Sequence, residues 1–236
     1  MDSPPTVTLK TPAPLLRLLF LLSGTTGMLD AASILCLDKV FTANMTGNVV
    51  FLAFAIAGAP GFSPLPFVVA LASFIIGATV AGRIWRMRGS HLLRDWLVVA
   101  AGIETVLLLI AALASSGYDT SRAEPIWKLA FILALISSAM GFRNAVVRQL
   151  KVPDLTTTVL TLTITGIASD SRMAAGPATN LPTRLGAVAS IFGGAIIGAL
   201  LVLHVGLAAT LTLTAALILT GALVFARHPL MADLQR

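Results

Sequence analysis

Two clusters of hydroxyl and amide side chains stand beside short apolar segments, in an arrangement typical of a site for a small solute. The members of the first cluster are Thr42, Asn44, Thr46, Gly47 and Asn48. Thr and Asn often cap the start of a helix, and glycine lets a solute approach the backbone. A helix that begins near Thr46 would therefore present its free N–H groups and the positive end of its dipole to that solute.

A matching cluster follows in the second half of the chain. Its members are Thr156, Thr157, Thr158, Thr161 and Thr163. Two opposed helix N-termini would favour an anion or a solute that carries a carboxylate. We predict solute contacts from the first cluster and, in the second, from Thr157, Thr158 and Thr161. The alternative is structural, because such hydroxyls also bond to carbonyls of their own helix or join neighbouring helices.

Two carboxylates, Asp30 and Glu104, lie well inside apolar stretches of the sequence. A charge at the centre of a bilayer costs at least about 2.5 kcal/mol, so protonation, pairing or a water-filled cavity must relieve it. Arg143 and Asn144 lie toward the end of another apolar stretch, from which Arg143 could reach a carboxylate on a neighbouring helix. We interpret these four residues as candidates for proton coupling or gating, with a structural buried pair as the alternative.

The elements that must hold these residues are membrane-spanning helices. Only 11% of the 236 residues are charged and 57% are hydrophobic, and the mean hydropathy is +0.93. A soluble domain could not cover its surface with so few charges, and the same numbers exclude a disordered chain. The net charge of +6 is typical of basic residues held on the cytoplasmic side of a membrane. The sequence therefore predicts the lipid bilayer as a partner, and no nucleic acid.

Six apolar stretches reach the roughly 20 residues that one helix needs to cross a bilayer. They run over 15–36, 65–84, 96–115, 126–147, 184–204 and 206–226. Two further apolar segments, 47–59 and 159–168, reach only about half way across. The sequence predicts an all-α membrane protein with six full spans and two short re-entrant half-helices. The alternative is eight ordinary helices, two of them short.

The distribution of basic residues favours six spans. If six segments cross and the N-terminus is inside, all 16 basic residues lie inside except Lys39, Arg122 and Lys128. If all eight segments cross, the basic residues divide evenly between the two sides, contrary to the positive-inside rule. We therefore expect a multi-pass protein of the bacterial inner membrane with both termini in the cytoplasm.

The two halves of the chain resemble each other. Three stretches recur in the same order: Gly27–Ala31 as Gly141–Ala145, Phe41–Thr46 as Thr156–Thr161, and Ala72–Phe74 as Ala189–Ile191. Each half then contains three spans, and this odd number turns the second half upside down relative to the first. Paired short segments in such inverted repeats mark a site near the middle of the membrane.

These features define the expected domain organisation. One transmembrane domain covers 15–226, with repeats over about 15–115 and 126–226. A polar, proline-rich N-terminal tail at 1–14 is expected to be disordered, and a C-terminal tail covers 227–236.

Four motifs lie at the ends of the apolar segments. They are Gly27-x-x-Asp30-Ala31, Phe41-x-x-Asn44-Met45-Thr46-Gly47-Asn48, Met140-Gly141-x-x-Asn144-Ala145 and Val152-Pro153-Asp154-Leu155-x-Thr157. Together they resemble the YoaK-like family of bacterial inner-membrane proteins, a domain of unknown function, over about 15–226. That family is expected to have Thr-Gly in the second hairpin, where this chain has Thr161-Leu162. The resemblance implies a membrane location and little mechanism.

The combined features predict secondary transport or channel-like permeation of a small solute, with an anion favoured. A scaffold or sensor with a solid interior is the alternative from another class. The sequence contains no HExxH, G-x-S-x-G or P-loop motif, and its three histidines are not spaced as metal ligands. We therefore expect no enzyme activity, no cofactor and no metal site. A homo-oligomer is compatible with the sequence.

Overall fold

A computed structural model describes residues 12–87, 93–150, 160–171, 174 and 180–229. Within these residues the chain forms eight α-helices: α1 (Ala13–Cys36), α2 (Met45–Ile56), α3 (Pro64–Met87), α4 (Leu93–Ala114), α5 (Ile126–Leu150), α6 (Leu160–Ser169), α7 (Leu181–His204) and α8 (Leu207–Ala226). All except α2 and α6 are long and apolar enough to cross a membrane. The prediction of an all-α fold with six long spans and two short apolar helices is confirmed.

Local backbone chemistry explains where several helices begin and end. A proline lies in the first turn of α1, where its missing N–H leaves no helical hydrogen bond unmade. After α1, Asp38 and Lys39 have φ values of 56° and 62°, a conformation that interrupts a right-handed helix. Gly206, with φ 107°, turns the chain between α7 and α8, in a region of φ that suits glycine.

The segment around α2 enters and leaves at one end of the bundle. Lys39, just after α1, donates a hydrogen bond from Nζ to the carbonyl oxygen of Gly61, just before α3, at 3.1 Å. The 12 residues of α2 measure about 18 Å along the axis at 1.5 Å per residue. This is short of the roughly 30 Å hydrocarbon core of a bilayer. The segment between α1 and α3 is therefore a re-entrant hairpin.

The connection between α4 and α5 lies at the same end of the bundle. The hydroxyl of Tyr118, in that connection, donates a hydrogen bond to the carbonyl oxygen of Cys36 at 3.0 Å. Arg122 belongs to the same connection, and Lys128 lies in the first turn of α5. The three basic residues that the six-span topology leaves outside, Lys39, Arg122 and Lys128, are thus gathered at one end of the protein.

Glycine contacts join the two halves of the chain. α1 packs along α7, and α3 packs along α5. A Cβ at Gly77 of α3 would overlap the carbonyl oxygen of Ser138 in α5, and a Cβ at Gly194 of α7 would overlap that of Gly24 in α1. Backbones approach this closely only where small residues face each other. The bundle core is therefore built from contacts between one half and the other.

The same contacts occur twice, at corresponding positions. Gly141 faces the carbonyl oxygen of Phe74, and Gly27 faces that of Ile191. In the sequence repeat, Gly27 corresponds to Gly141 and Phe74 to Ile191. The packing of α1 on α7 thus repeats the packing of α5 on α3. This reciprocity supports a common plan for the two halves, while their opposite orientation in a membrane stays a prediction.

The remaining long helices complete the bundle. α4 packs against α8, and they also contact α5 and α1 respectively. The outer faces of α3 and α7 carry exposed apolar side chains, among them Ile75, Ile76, Phe192 and Leu203. Such a surface is unsuited to water and is what lipid tails require.

Candidate functional site

The carboxylate of Asp30 holds the turn that leads into α2. Its Oδ1 accepts hydrogen bonds from the N–H of Thr42 at 3.0 Å, from the Thr42 hydroxyl at 3.2 Å and from the N–H of Ala43 at 2.9 Å. Asp30 lies more than one turn before the end of α1 at Cys36. These bonds therefore draw the chain back alongside α1 and carry the start of α2 into the bundle.

Asn48 fixes the same turn from the α2 side. Its Oδ1 accepts a hydrogen bond from the N–H of Phe41 at 2.9 Å, and its Nδ2 donates to the carbonyl oxygen of Phe41 at 2.6 Å. The Asn48 side chain is fully buried. Buried backbone groups need partners, and a chain that has left the helix must find them elsewhere. Asn48 supplies both partners for Phe41.

Gly47 makes room for an aromatic ring. A Cβ at this position would lie 2.7 Å from Cδ2 and 2.8 Å from Cε2 of Phe41. The ring of Phe41 also stacks on that of Phe51, with centroids 6.2 Å apart. Sequence analysis interpreted Gly47 as a place for a solute to approach the backbone, and in the structure Phe41 takes this face of the glycine.

The helix start differs slightly from the prediction. α2 begins at Met45 rather than near Thr46, and Asn44 in the N-cap position makes no side-chain cap hydrogen bond. The N–H groups just before the helix are bound by Asp30 of α1 instead. Asn44 and Thr46 are both exposed, so their side chains are free to face a solute or solvent.

A cavity of about 380 Å³ lies beside this turn. Its wall is mostly apolar and is formed by α1, α7 and the residues before α2, with polar side chains from Thr26, Asp30 and Asn44. Leu160, the first residue of α6, also lines it. Both short helices therefore begin at the border of one cavity.

The cavity differs in character from the one expected. The sequence pattern predicted that polar side chains of both clusters, Asn48 and Thr161 among them, contact the solute. The cavity is shared by the two short helices, but it is mainly apolar, and its described lining includes neither of these two side chains. The reason is that Asn48 turns toward the backbone of Phe41, while Thr161 is exposed.

The second polar cluster is described only in part. Thr161 is exposed and Thr163 is buried. The other members lie outside the described residues: Thr156, Thr157 and Thr158. Their contacts with a solute stay predictions.

An ion pair ties α6 to α7. Nη1 of Arg184, in the first turn of α7, lies 2.6 Å from Oδ2 of Asp170, which directly follows α6. The hydrogen bond from Arg184 holds the pKa of Asp170 below its usual value. A Cβ at Gly166 would lie 2.7 Å from the same nitrogen, so glycine at this position lets the guanidinium pass close to α6.

Arg143 and Glu104 form a buried ion pair between α5 and α4. Nε of Arg143 donates to Oε2 of Glu104 at 3.0 Å, and its Nη2 contacts Oε1. Each residue is only 3% exposed. Sequence analysis expected Arg143 to reach a carboxylate on a neighbouring helix, and the structure identifies that carboxylate as Glu104.

The ion pair is connected to the cavity wall. Nη1 of Arg143 donates to the carbonyl oxygen of Leu22 and to the hydroxyl oxygen of Thr26, both at 3.0 Å. The Thr26 hydroxyl in turn donates to the carbonyl oxygen of Leu22 at 2.9 Å. Because Thr26 lines the cavity, hydrogen bonds run without interruption from Glu104 on α4 to the cavity wall on α1.

Asn144 occupies the place in the second half that Asp30 occupies in the first. Its Nδ2 donates a hydrogen bond to the carbonyl oxygen of Met140 at 2.9 Å. This bond lies within α5.

Sequence reasoning missed two residues of the site, Phe41 and Thr26. Thr26 stands four residues before Asp30, a spacing that places both on one face of a helix. This signal was present in the sequence. The position of Phe41 against Gly47 depends on the turn between them, for which no periodic pattern exists.

The described residues provide no ready metal site. Within them, no group of three or more His, Cys, Asp or Glu side chains could hold a metal ion. The buried carboxylates are already engaged, Asp30 by the turn before α2 and Glu104 by Arg143.

Comparisons with known proteins place the chain among transmembrane proteins. It is 29% identical over 153 residues to the UPF0700 transmembrane protein YoaK of Bacillus subtilis (strain 168). That alignment covers 65% of this chain and 65% of YoaK, so the chain matches just under two thirds of this relative's length. No solved structure matches the chain. The family model described as "Protein of unknown function (DUF1275)" matches residues 18–224, and the chain therefore belongs to this family.

Proposed function

We propose that this protein carries a small solute across the bacterial inner membrane, as a secondary transporter or a channel, with both termini in the cytoplasm. The observation that carries the proposal is the cavity at which α2 and α6 both begin. Backbone that is not helical is tolerated at membrane depth only against protein or beside a water-filled cavity. The turn before α2 lies against α1 on one side and beside this cavity on the other.

The construction of this turn favours transport over a solid scaffold. Asp30, Gly47 and Asn48 all serve to keep the chain broken at this place. An unbroken helix would satisfy the same backbone groups without any of them. The break places the start of α2 at the border of the cavity, which is where a solute pathway would need it.

The geometry gives less support to an anionic solute than the sequence pattern does. The positive end of the α2 dipole would attract an anion, but Asp30 already places a carboxylate against the N–H groups of Thr42 and Ala43. The protein thus supplies its own negative group at this helix start. Asn44 is the member of the first cluster that lines the cavity and that we assign to solute contact.

Site-directed labelling tests the pathway without knowledge of the solute. Ala31→Cys places a thiol in the cavity wall, and Ile75→Cys places one on the exposed apolar face of α3. Both are made with Cys36→Ser, which removes the natural thiol. Membrane-impermeant methanethiosulfonates of either charge are added to right-side-out vesicles and, separately, to inside-out vesicles.

We expect Ala31→Cys to react from each side in turn, because a transport pathway opens to each side. Ile75→Cys should stay unreactive, since lipid excludes the charged reagent. A cavity thiol that reacts from neither side would contradict transport and favour the scaffold. A thiol that reacts from one side only would also contradict transport, and would favour a sensor whose pocket opens to that side alone.

A further inference from the structure

The buried charges around the cavity do not balance. Among the described residues, the ionised groups close to the cavity are Asp30, Glu104 and Arg143. Glu104 is bound by two nitrogens of Arg143, so this pair is neutral as a unit. Asp30 remains, and with its carboxylate ionised the three groups carry one net negative charge.

Asp30 lines the cavity and has one carboxylate oxygen that none of the described donors binds. All three donors to this carboxylate, the N–H and hydroxyl of Thr42 and the N–H of Ala43, bind Oδ1. None of the described groups donates a hydrogen bond to Oδ2. Because Asp30 lines the cavity, a positively charged or proton-donating occupant would find an available oxygen there.

The rest of the wall suits an organic group. Most lining residues are apolar, and Phe41 adds an aromatic ring. A carboxylate together with an aromatic face is the combination that recognises alkylated ammonium groups, through charge attraction and the cation–π interaction. A small inorganic cation would prefer a shell of about six or more oxygen ligands, whereas the polar side chains in the described wall are those of Thr26, Asp30 and Asn44.

We propose that the cavity binds a small organic monocation of the alkylammonium class, and that the cation exchanges for a proton on Asp30. This inference rests on the proposed transport function and names its class of solute. A single unbalanced charge is neutralised either by a proton on the carboxyl group or by the bound cation. When the cation enters, the carboxyl proton leaves to solvent, and when the cation leaves, a proton returns.

Few of the ionisable groups that the structure describes face Asp30. On the elements packed around it, α5 contributes Arg143 and α4 contributes Glu104. α2 and α6 contain no ionisable side chains, and the cavity-lining part of α7 has none. Among the described groups, Asp30 is therefore the one whose proton exchange can produce a pH dependence of binding while Glu104 stays paired with Arg143.

Three compounds of one shape and different charge test the inference. Choline is the cation, 3,3-dimethylbutan-1-ol is its neutral carbon analogue, and 3,3-dimethylbutanoate is an anion of similar bulk. Binding to the full chain in detergent is measured by calorimetry, and proton release is followed with a pH indicator in weakly buffered solution. We expect choline to bind at least tenfold more tightly than the other two, with release of up to one proton per bound cation.

Two variants separate the site from general folding. Asp30→Asn keeps an oxygen for the N–H groups of Thr42 and Ala43 but removes the charge, and should lose choline binding and proton release. Phe41→Leu keeps the carboxylate and should weaken choline binding about tenfold without changing the protons released per cation. Asp119→Asn, at an exposed carboxylate in the α4–α5 connection, is the matched control and should change neither quantity.

The inference is overturned if choline fails to bind at every pH, if the alcohol binds as well as choline, or if Asp30→Asn binds choline like the unmodified protein. It is also overturned if choline binds without proton release. These outcomes differ from failure of transport itself, for which the thiol of Ala31→Cys would fail to react from both sides. If the Ala31→Cys thiol reacts from both sides but choline binds no better than the neutral alcohol, the transport proposal stands and the cation class is excluded.

Discussion

Asn48 and Phe41 exchange two hydrogen bonds across the turn that precedes α2, one in each direction. The Asn48 carboxamide accepts from the Phe41 N–H and donates to the Phe41 carbonyl. An ionised Asp could only accept, and a Leu of similar size could do neither. The chemistry of residue 48 is therefore dictated by a backbone segment seven positions earlier, and not by a neighbour within its own helix.

Asn48→Asp should destabilise the protein at neutral pH. The new carboxylate loses the donor and faces the Phe41 carbonyl oxygen, at a cost of about 1–3 kcal/mol for one unsatisfied buried partner. A lower midpoint of thermal unfolding in detergent would show it. Asn44→Ala is the control, because Asn44 is exposed and makes no cap bond. Equal midpoints for the two variants would refute this role of Asn48.

Gly47→Ala should also lower stability, by about 1–3 kcal/mol for an overpacked contact. The added methyl group would press on the ring of Phe41. Phe41→Leu removes the ring, so the double variant should recover much of the loss. Thermal unfolding of the wild type, both single variants and the double variant forms a double-mutant cycle. Strictly additive effects would show that the two side chains are not in contact.

Gly47 and Asn48 show how much of such a site can be predicted from a sequence. The motif around Asn44–Asn48 marks the place where a helix begins inside the bundle, because Gly, Thr and Asn together favour a helix start. It does not reveal which partner each side chain takes. Asp30 and Asn48 bind backbone in an irregular turn, and contacts of this kind follow from three-dimensional geometry rather than from periodic spacing.

Adjacent glycines in α7 allow a sharp test of the core packing. Gly194→Val should prevent folding, because its side chain would strike the backbone of Gly24, which has no freedom to move aside. Gly193→Val should be tolerated, since a Cβ there has no neighbour within 4 Å. The readout is the yield of monodisperse protein on size-exclusion chromatography in detergent. Equal yields would mean that α1 and α7 do not pack in this register.

The buried residues Arg143 and Glu104 should show strong coupling in their effects on the free energy of unfolding. Glu104→Leu or Arg143→Met alone leaves one partner unsatisfied and should cost about 3–5 kcal/mol, whereas replacement of both by apolar residues is often much less costly. The double variant Glu104→Leu/Arg143→Met should therefore be more stable than the sum of the single effects predicts. Thermal unfolding in detergent measures this, and additive losses would argue against a direct pair.

Transport measurements should distinguish the two buried carboxylates. Because Glu104 is held by Arg143 and Asp30 lines the cavity, Asp30→Asn should lower solute uptake by proteoliposomes at every pH and remove its pH dependence. Glu104→Gln is expected to lower the amount of folded protein while the surviving fraction keeps that dependence. If uptake by Asp30→Asn followed pH as in the wild type, Asp30 would have no part in coupling.

The predicted membrane topology, with six spans and both termini in the cytoplasm, can be tested separately. Reporter fusions at Met1 and Arg236 should both register the cytoplasm, because that orientation leaves only Lys39, Arg122 and Lys128 outside. A fusion within the α4–α5 connection should register the opposite side. If either terminus reported outside, the six-span topology in this orientation would be wrong.

The long spans were predictable because lipid imposes a simple rule of length and hydropathy. The re-entrant path of α2 was predictable from two weaker facts, its 12 residues and the distribution of basic residues. The choice of Glu104 rather than Asp30 as the partner of Arg143 was not predictable. Both carboxylates lie at suitable depth, and only the packing of α4 against α5 decides between them.

The glycine contacts of α1 with α7 and of α5 with α3 always pair a helix from one half with a helix from the other. Neither half of the chain therefore contains a complete helix-packing core by itself. A chain cut in the α4–α5 connection should survive as two co-expressed fragments that associate, whereas each fragment made alone should be degraded. A half-length chain of this design could keep the same contacts only by assembling with a second, antiparallel copy of itself.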